Sequence, residues 1–201
     1  THLHSDHIVD LYQLFISGWH TGRETKFKVF GPTGLKSHFD KIFEAYKEEL
    51  DLRKEWEKRP NVEGLAYEIT EINNELKIEL DNATIESVKV DHHPVDPAFG
   101  YKFILGPKNI IFSGDTRYCE VLEKSSKDAD ILVHEVFVGL DYDPVRMSSD
   151  TIENISDYHT TPEEVGLLAS NASVKKLILN HFVPPVFLSL IHISEPTRPV
   201  M

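Results

Sequence analysis

Apolar residues recur at helical spacing through Ile8, Leu11, Leu14 and Phe15, which predicts a helix opening near Asp6. Phe27 to Phe30 reads as a short strand, stopped by Gly31-Pro32-Thr33-Gly34. Phe39, Ile42, Phe43, Tyr46 and Leu50 then form the apolar stripe of a second helix, spanning about 36–52. Its other face carries Lys41, Glu44, Lys47, Glu48 and Asp51, a solvated surface. The heavily charged stretch 51–60 reads as an exposed cap or arm.

From Ala66 the period changes. Leu76, Ile78 and Leu80 alternate with Lys77 and Glu79, the pattern of a half-buried strand. Stretches near 66–72, 85–90, 100–105 and 109–112 also read as strands, separated by Asn, Gly and Pro. Ile131 to Val133 is a short apolar strand ending on His134-Glu135, and Leu177 to Leu179 another ending on His181. Between them a helix is predicted after Thr161, with Thr161 as cap, Pro162 in the first helical position and Glu163 and Glu164 in the first turn. Asp115, His134 and His181 thus lie at or just beyond the carboxyl ends of strands, and His92 follows the strand ending at Val90. Loops gather at such ends, and a site can form there without disturbing the core.

With 201 residues, 40% hydrophobic and 27% charged, the chain can bury a full core. A net charge of −12 argues against a surface that attracts nucleic acid or anionic membrane as a whole. The single cysteine, Cys119, excludes an internal disulfide framework and suits a small packed residue. No apolar run is long enough to span a bilayer, and no signal peptide is visible, which leaves cytoplasm and periplasm both open.

The first seven residues, Thr1-His2-Leu3-His4-Ser5-Asp6-His7, hold four potential metal ligands. On a strand His2 and His4 would share a face, while Asp6 and His7, being adjacent, would diverge from a loop at its end. The spacing suits two neighbouring ions, one on His2 and His4 and the other on Asp6 and His7. Imidazole and carboxylate without thiolate favour zinc, or a harder ion such as manganese or iron. A histidine-rich terminus or a tag remnant would give the same cluster. The later histidines and acids decide between the two, because they arrive in compatible contexts.

Taken with His92, Gly114-Asp115-Thr116 and His181, the N-terminal motif resembles the metallo-β-lactamase fold superfamily, and within it the ribonuclease Z-like and arylsulfatase-like hydrolases. Asp91-His92-His93-Pro94-Val95, Phe112-Ser113-Gly114-Asp115-Thr116, Val133-His134-Glu135, His159-Thr160-Thr161 and Leu179-Asn180-His181-Phe182 follow in the family's order, covering roughly residues 1–185. The resemblance implies an α/β fold, an αββα sandwich. It implies one metal on His2, His4 and His92, a second on Asp6, His7 and His181, and Asp115 bridging both. His93 competes with His92, and the Asp-His-x-Pro-Val run favours His92. Histidine rather than glutamate at His4, and aspartate rather than cysteine at Asp115, point to a binuclear hydrolase rather than an electron-transfer protein or an antibiotic-degrading enzyme. The His134-Glu135 and His159-Thr160-Thr161 pair separates the chain from thioesterases of the same superfamily.

The implied mechanism is attack by a metal-bridging hydroxide. Asp6 would orient it or accept its proton, His159 would act as leaving-group acid or contact the substrate oxyanion, and Glu135 would orient His159. Ribonuclease Z proper grips transfer RNA with a basic, glycine-rich arm, whereas the segment 36–59 here is of mixed charge with a slight acidic bias. Phosphate binding depends on Lys and Arg. The expected substrate is therefore a small anionic phosphodiester, sulfate ester or carboxylic ester, with transfer RNA 3′-end processing as the alternative and a non-catalytic metal-binding relic or fragment as the third reading. No membrane partner is expected, and a homodimer is admitted. In the family the first motif follows several strands, so the hydrolase domain, 1–186, is expected to lack its first strands. The segment 187–201 reads as a non-native tail, with no role for His192.

Overall fold

The computed structural model describes residues 1–139 and 147–183. The expected tail at 187–201 lies outside them. The chain divides into two compact units, Thr1–Asn74 and Glu75 onward.

In the first unit the predicted opening helix comes in two pieces, α1 (Ser5–Ile8) and α2 (Leu11–His20). Strand β1 (Phe27–Pro32) follows, then α3 (Leu35–Ala45), α4 (Lys47–Glu57), a 3₁₀ turn at Val62–Leu65 and β2 (Tyr67–Ile72), which pairs parallel with β1. The sequence pattern predicted one helix over 36–52, and the structure breaks it at Tyr46, whose backbone leaves the helical region (φ −102°, ψ 2°). The Tyr46 ring stacks on Tyr12 at 4.5 Å, and the break re-aims the chain so that Leu50 reaches the core. The charged stretch expected as an arm is therefore the body of α4, in which Arg53 pairs with both Glu49 and Glu57. Such exposed pairs add little to a helix's stability. The apolar face decides instead: Phe15, Trp19 and Phe39 are fully buried, each contributing roughly 1.5–3 kcal/mol by leaving water. Phe15 and Phe39 meet edge to face at 5.4 Å. Arg23 donates to the carbonyls of Phe15 and Gly64, and a side chain at Gly64 would meet the Arg23 carbonyl, which is why the closure needs glycine there.

The second unit is built on a six-stranded sheet in the order β3 (Lys77–Leu80), β4 (Ala83–His92), β5 (Val95–Leu105), β6 (Lys108–Phe112), β7 (Ile131–Phe137), β8 (Leu177–Val183). The pairs β3–β4, β4–β5 and β5–β6 are antiparallel, whereas β6–β7 and β7–β8 are parallel. Consequently β4, β6, β7 and β8 run the same way, and their carboxyl ends collect at one end of the sheet. Parallel neighbours need crossovers. Helix α5 (Glu120–Ser125) lies in the first, and α6 (Ser149–Ser156) and α7 (Pro162–Asn171) in the second. Helix α7 starts as its sequence dictates, with Pro162 in the first turn and a reciprocal capping box between Thr161 and Glu164. Val88, Val90, Ala98, Ile111, Leu122, Leu132 and Leu168 form the core that joins the sheet to α5 and α7.

Candidate metal and catalytic centre

The N-terminal ligand candidates do not sit on a strand. Residues 1–4 carry no ladder, His4 is extended (φ −62°, ψ 147°), and Asp6 and His7 lie in the single turn of α1. Alternation along a strand therefore cannot be what groups His2 with His4. Within this unit the rings still gather: His2 lies 4.6 Å from His4 and 4.2 Å from His7, centroid to centroid. Thr1 Oγ1 is 3.1 Å from His2 Nδ1, and His7 Nε2 is 3.5 Å from Asp6 Oδ2. Three imidazoles and a carboxylate thus share one short segment.

In the second unit, His92 ends β4, Asp115 follows β6, and His181 lies within β8. Strand β7 continues to Phe137 and β8 to Val183, so Glu135 and His181 are strand residues rather than loop residues. The ladder absorbs this with a bulge: Glu135 pairs with Asn180 and Val136 with Phe182, leaving His181 as the extra residue at φ 43°. His181 Nε2 then stands 3.5 Å from Asp115 Oδ2, and His92 Nε2 stands 4.0 Å from the same oxygen. His93, the competitor, is exposed. A tetrahedral ion with bonds of about 2.0–2.1 Å places its ligand atoms roughly 3.3 Å apart, so this spacing and donor set fit a divalent ion. Asp115, His159 and His181 likewise offer donor atoms within 4.8 Å of one another. His92 Nδ1 lies 2.9 Å from the Tyr158 carbonyl, which fixes the tautomer and aims Nε2 at Asp115.

Glu135 is almost wholly buried, and its Oε1 lies 2.9 Å from His159 Nδ1 while also accepting the Thr116 N–H at 3.1 Å. Burial, reinforced by the Asp115 charge, pushes the carboxyl up to about 9 against the Thr116 N–H, which lowers it. His134 points to the opposite strand face, with Leu132 and Val136, all three fully buried.

Pattern reading singled out neither Tyr158, which acts through its carbonyl, nor the ties that hold the Asp115 turn. Ser113 Oγ accepts the Glu135 N–H at 3.1 Å, and Thr160 Oγ1 donates to the Thr116 carbonyl at 2.5 Å. Gly100 carries a sequence signal: a Cβ there would stand 2.6 Å from the Phe112 carbonyl and 2.7 Å from that of Ser113. Glycine is what lets β6 approach β5 just before the Asp115 turn.

This strand and helix order, with acids and histidines at the carboxyl ends of parallel strands, defines a metallo-β-lactamase fold. The family model for the beta-lactamase superfamily domain matches residues 1–182, and the chain belongs to that superfamily. A ribonuclease Z of Mycobacterium sp. (strain KMS) is 29% identical over 190 residues, covering 92% of this chain and 65% of the relative. A putative ribonuclease Z of Mycobacterium tuberculosis (strain CDC 1551 / Oshkosh) is 28% identical over 189 residues, 92% of this chain and 83% of that protein. Among solved structures, the short form of human tRNase Z matches with a TM-score of 0.64 at 19% identity, over 90% of this chain and 70% of that one. Among the described residues no helix is long and apolar enough to cross a membrane.

Proposed function

We propose that the chain is a two-metal hydrolase that cleaves a phosphodiester. The observation that carries this is the buried Glu135–His159 pair beside the Asp115, His92 and His181 cluster. On this reading His2, His4 and His92 hold one ion, Asp6, His7 and His181 the other, and Asp115 serves both, an assignment drawn from motif order within the superfamily. Nitrogen and carboxylate donors without thiolate make zinc the first candidate, ahead of manganese and iron. Bound ions would supply an activated water at neutral pH and stabilise charge on the attacked phosphorus. The chain's own contribution is placement. Asp6 would orient the attacking group, His159 would pass a proton from Nε2 to the leaving oxygen, and Glu135 would hold the His159 ring with Nδ1 occupied.

The names of the relatives favour a phosphodiester over a sulfate or carboxylic ester. They also favour a second reading, transfer RNA processing. The net charge of −12 and the self-paired charges of α4 favour a small substrate. A single comparison decides: the zinc-loaded protein is offered bis(p-nitrophenyl) phosphate, a sulfate ester, a carboxylic ester and precursor transfer RNA. Cleavage of the small diester well above the other three is the expected result. Faster cleavage of the RNA would replace the small substrate, and cleavage of none with no metal bound would make the chain a relic.

A further inference from the structure

Arg117 directly follows the Gly114-Asp115-Thr116 run. Its backbone N–H donates to the Asp91 carbonyl at 2.9 Å. Its Nη2 donates to the His93 carbonyl at 3.1 Å and lies 3.6 Å from Asp157 Oδ2, and its Nε lies 3.7 Å from Asp91 Oδ2. Thr116 adds to the same junction, since its Oγ1 lies 3.2 Å from the Asp91 N–H. Three separate segments meet on one side chain. The first, 91–93, carries His92. The second is the turn that carries Asp115, and the third, 157–159, carries both the Tyr158 carbonyl that orients His92 and the His159 ring.

Arg117 is thus placed behind the centre, touching none of the candidate ligands' donor atoms in the contacts above while bracketing the backbone on either side of them. An exposed ion pair by itself contributes little. Arg117 does more than pair at the surface, because its Nη2 hydrogen-bonds the His93 carbonyl while the carboxylates of Asp157 and Asp91 flank the same guanidinium at ion-pair distance, and a lysine, as a single point charge, does not reproduce that planar arrangement. We infer that Arg117 is a positioning residue that sets the spacing among His92, Asp115 and His159. The inference deepens the proposed metal-centre reading and rests on it for its effect on zinc, but not for its effect on the histidine rings.

The test uses metal-free protein with ¹⁵N-labelled histidine, comparing the parent with R117A, R117K and D157N, followed by zinc titration against a chromogenic chelator. R117A should move or broaden the ring signals of His92 and His159 while leaving that of His134 in place. Its zinc affinity should fall about 10-fold, with R117K and D157N intermediate. The thermal midpoint should stay within about 3 °C of the parent, as expected for partly exposed pairs in a chain of this size. Unchanged ring signals in R117A overturn the inference, and so does a loss of zinc that merely tracks a collapse in thermal midpoint. If R117A does not fold, R117K and D157N are judged on the same ring signals. If the parent binds no zinc while the rings still move, the metal reading fails and the positioning role stands.

Discussion

Glu135 Oε1 lies 2.9 Å from His159 Nδ1 with both side chains buried, and the same oxygen accepts the Thr116 N–H. One carboxylate oxygen thereby orients a histidine and anchors the turn that carries Asp115. Its two jobs can be separated by chemistry, because an amide keeps the shape and a carbonyl acceptor but cannot share a proton with the imidazole.

Glu135→Gln should lower kcat on a phosphodiester by about 10²-fold or more, the scale of a positioned proton donor, with zinc content unchanged. Glu135→Ala should in addition loosen the Thr116 turn and lower zinc occupancy. Elemental analysis beside steady-state kinetics checks this. Zinc loss from Glu135→Gln equal to that from Glu135→Ala would make the carboxylate purely structural.

Asp115 and His93 provide the contrast for the metal assignment. Asp115 is buried with two imidazole nitrogens turned toward one of its oxygens, whereas His93 is exposed within the β4–β5 turn. Asp115→Ala should lose activity and most of the bound metal, and His93→Ala should keep both. Equal losses would move the ligand from His92 to its neighbour.

Much of this arrangement was legible in the residues. Thr161-Pro162-Glu163-Glu164 carries its own helix start, and Leu76 to Leu80 its strand period, because both signals are local. The break at Tyr46 was not legible, since the apolar stripe runs through it unbroken and the cause is a stacking partner 34 positions away in sequence, Tyr12. Helix α5 was hidden for a related reason: at six residues it is too short to show a period, and a single buried residue, Leu122, fixes it. At the site, residue types pointed to candidate ligands, but the hydrogen bonds that aim His92 and hold Glu135 run through backbone groups at Tyr158 and Thr116, which no side-chain pattern reveals.

His134 should make stability depend on pH. Fully buried, it has its protonation disfavoured by desolvation, which the neighbouring Glu135 carbonyl only partly offsets. Its folded pKa therefore lies below the unfolded value of about 6.5. Below that value the unfolded chain binds more protons, so stability is full at neutral pH and falls as the pH drops through 6.5 toward the folded pKa. The slope approaches about 1.4 kcal/mol per pH unit for one such group. Urea denaturation between pH 7.5 and 5 should show His134→Leu losing less stability over this range than the parent. An identical pH dependence would show that His134 is protonated without cost.

His181 sets function against backbone comfort. As the extra residue of the β8 bulge it holds φ at 43°, a region that costs a side chain with a Cβ roughly 1–2 kcal/mol. Glycine in a strand ordinarily destabilises by about 0.5–1 kcal/mol relative to alanine. Here the order should reverse, because alanine retains the strain and glycine releases it. Both His181→Ala and His181→Gly should lose zinc affinity, having lost the imidazole. In the metal-free state His181→Gly should be the more stable of the two, by up to about 1.5 kcal/mol, the largest difference between those two terms. Chemical denaturation of both metal-free variants measures it. If alanine proves the more stable, the bulge relaxes without its histidine, and the strained backbone is a consequence of the side chain's contacts rather than a fixed feature of the strand.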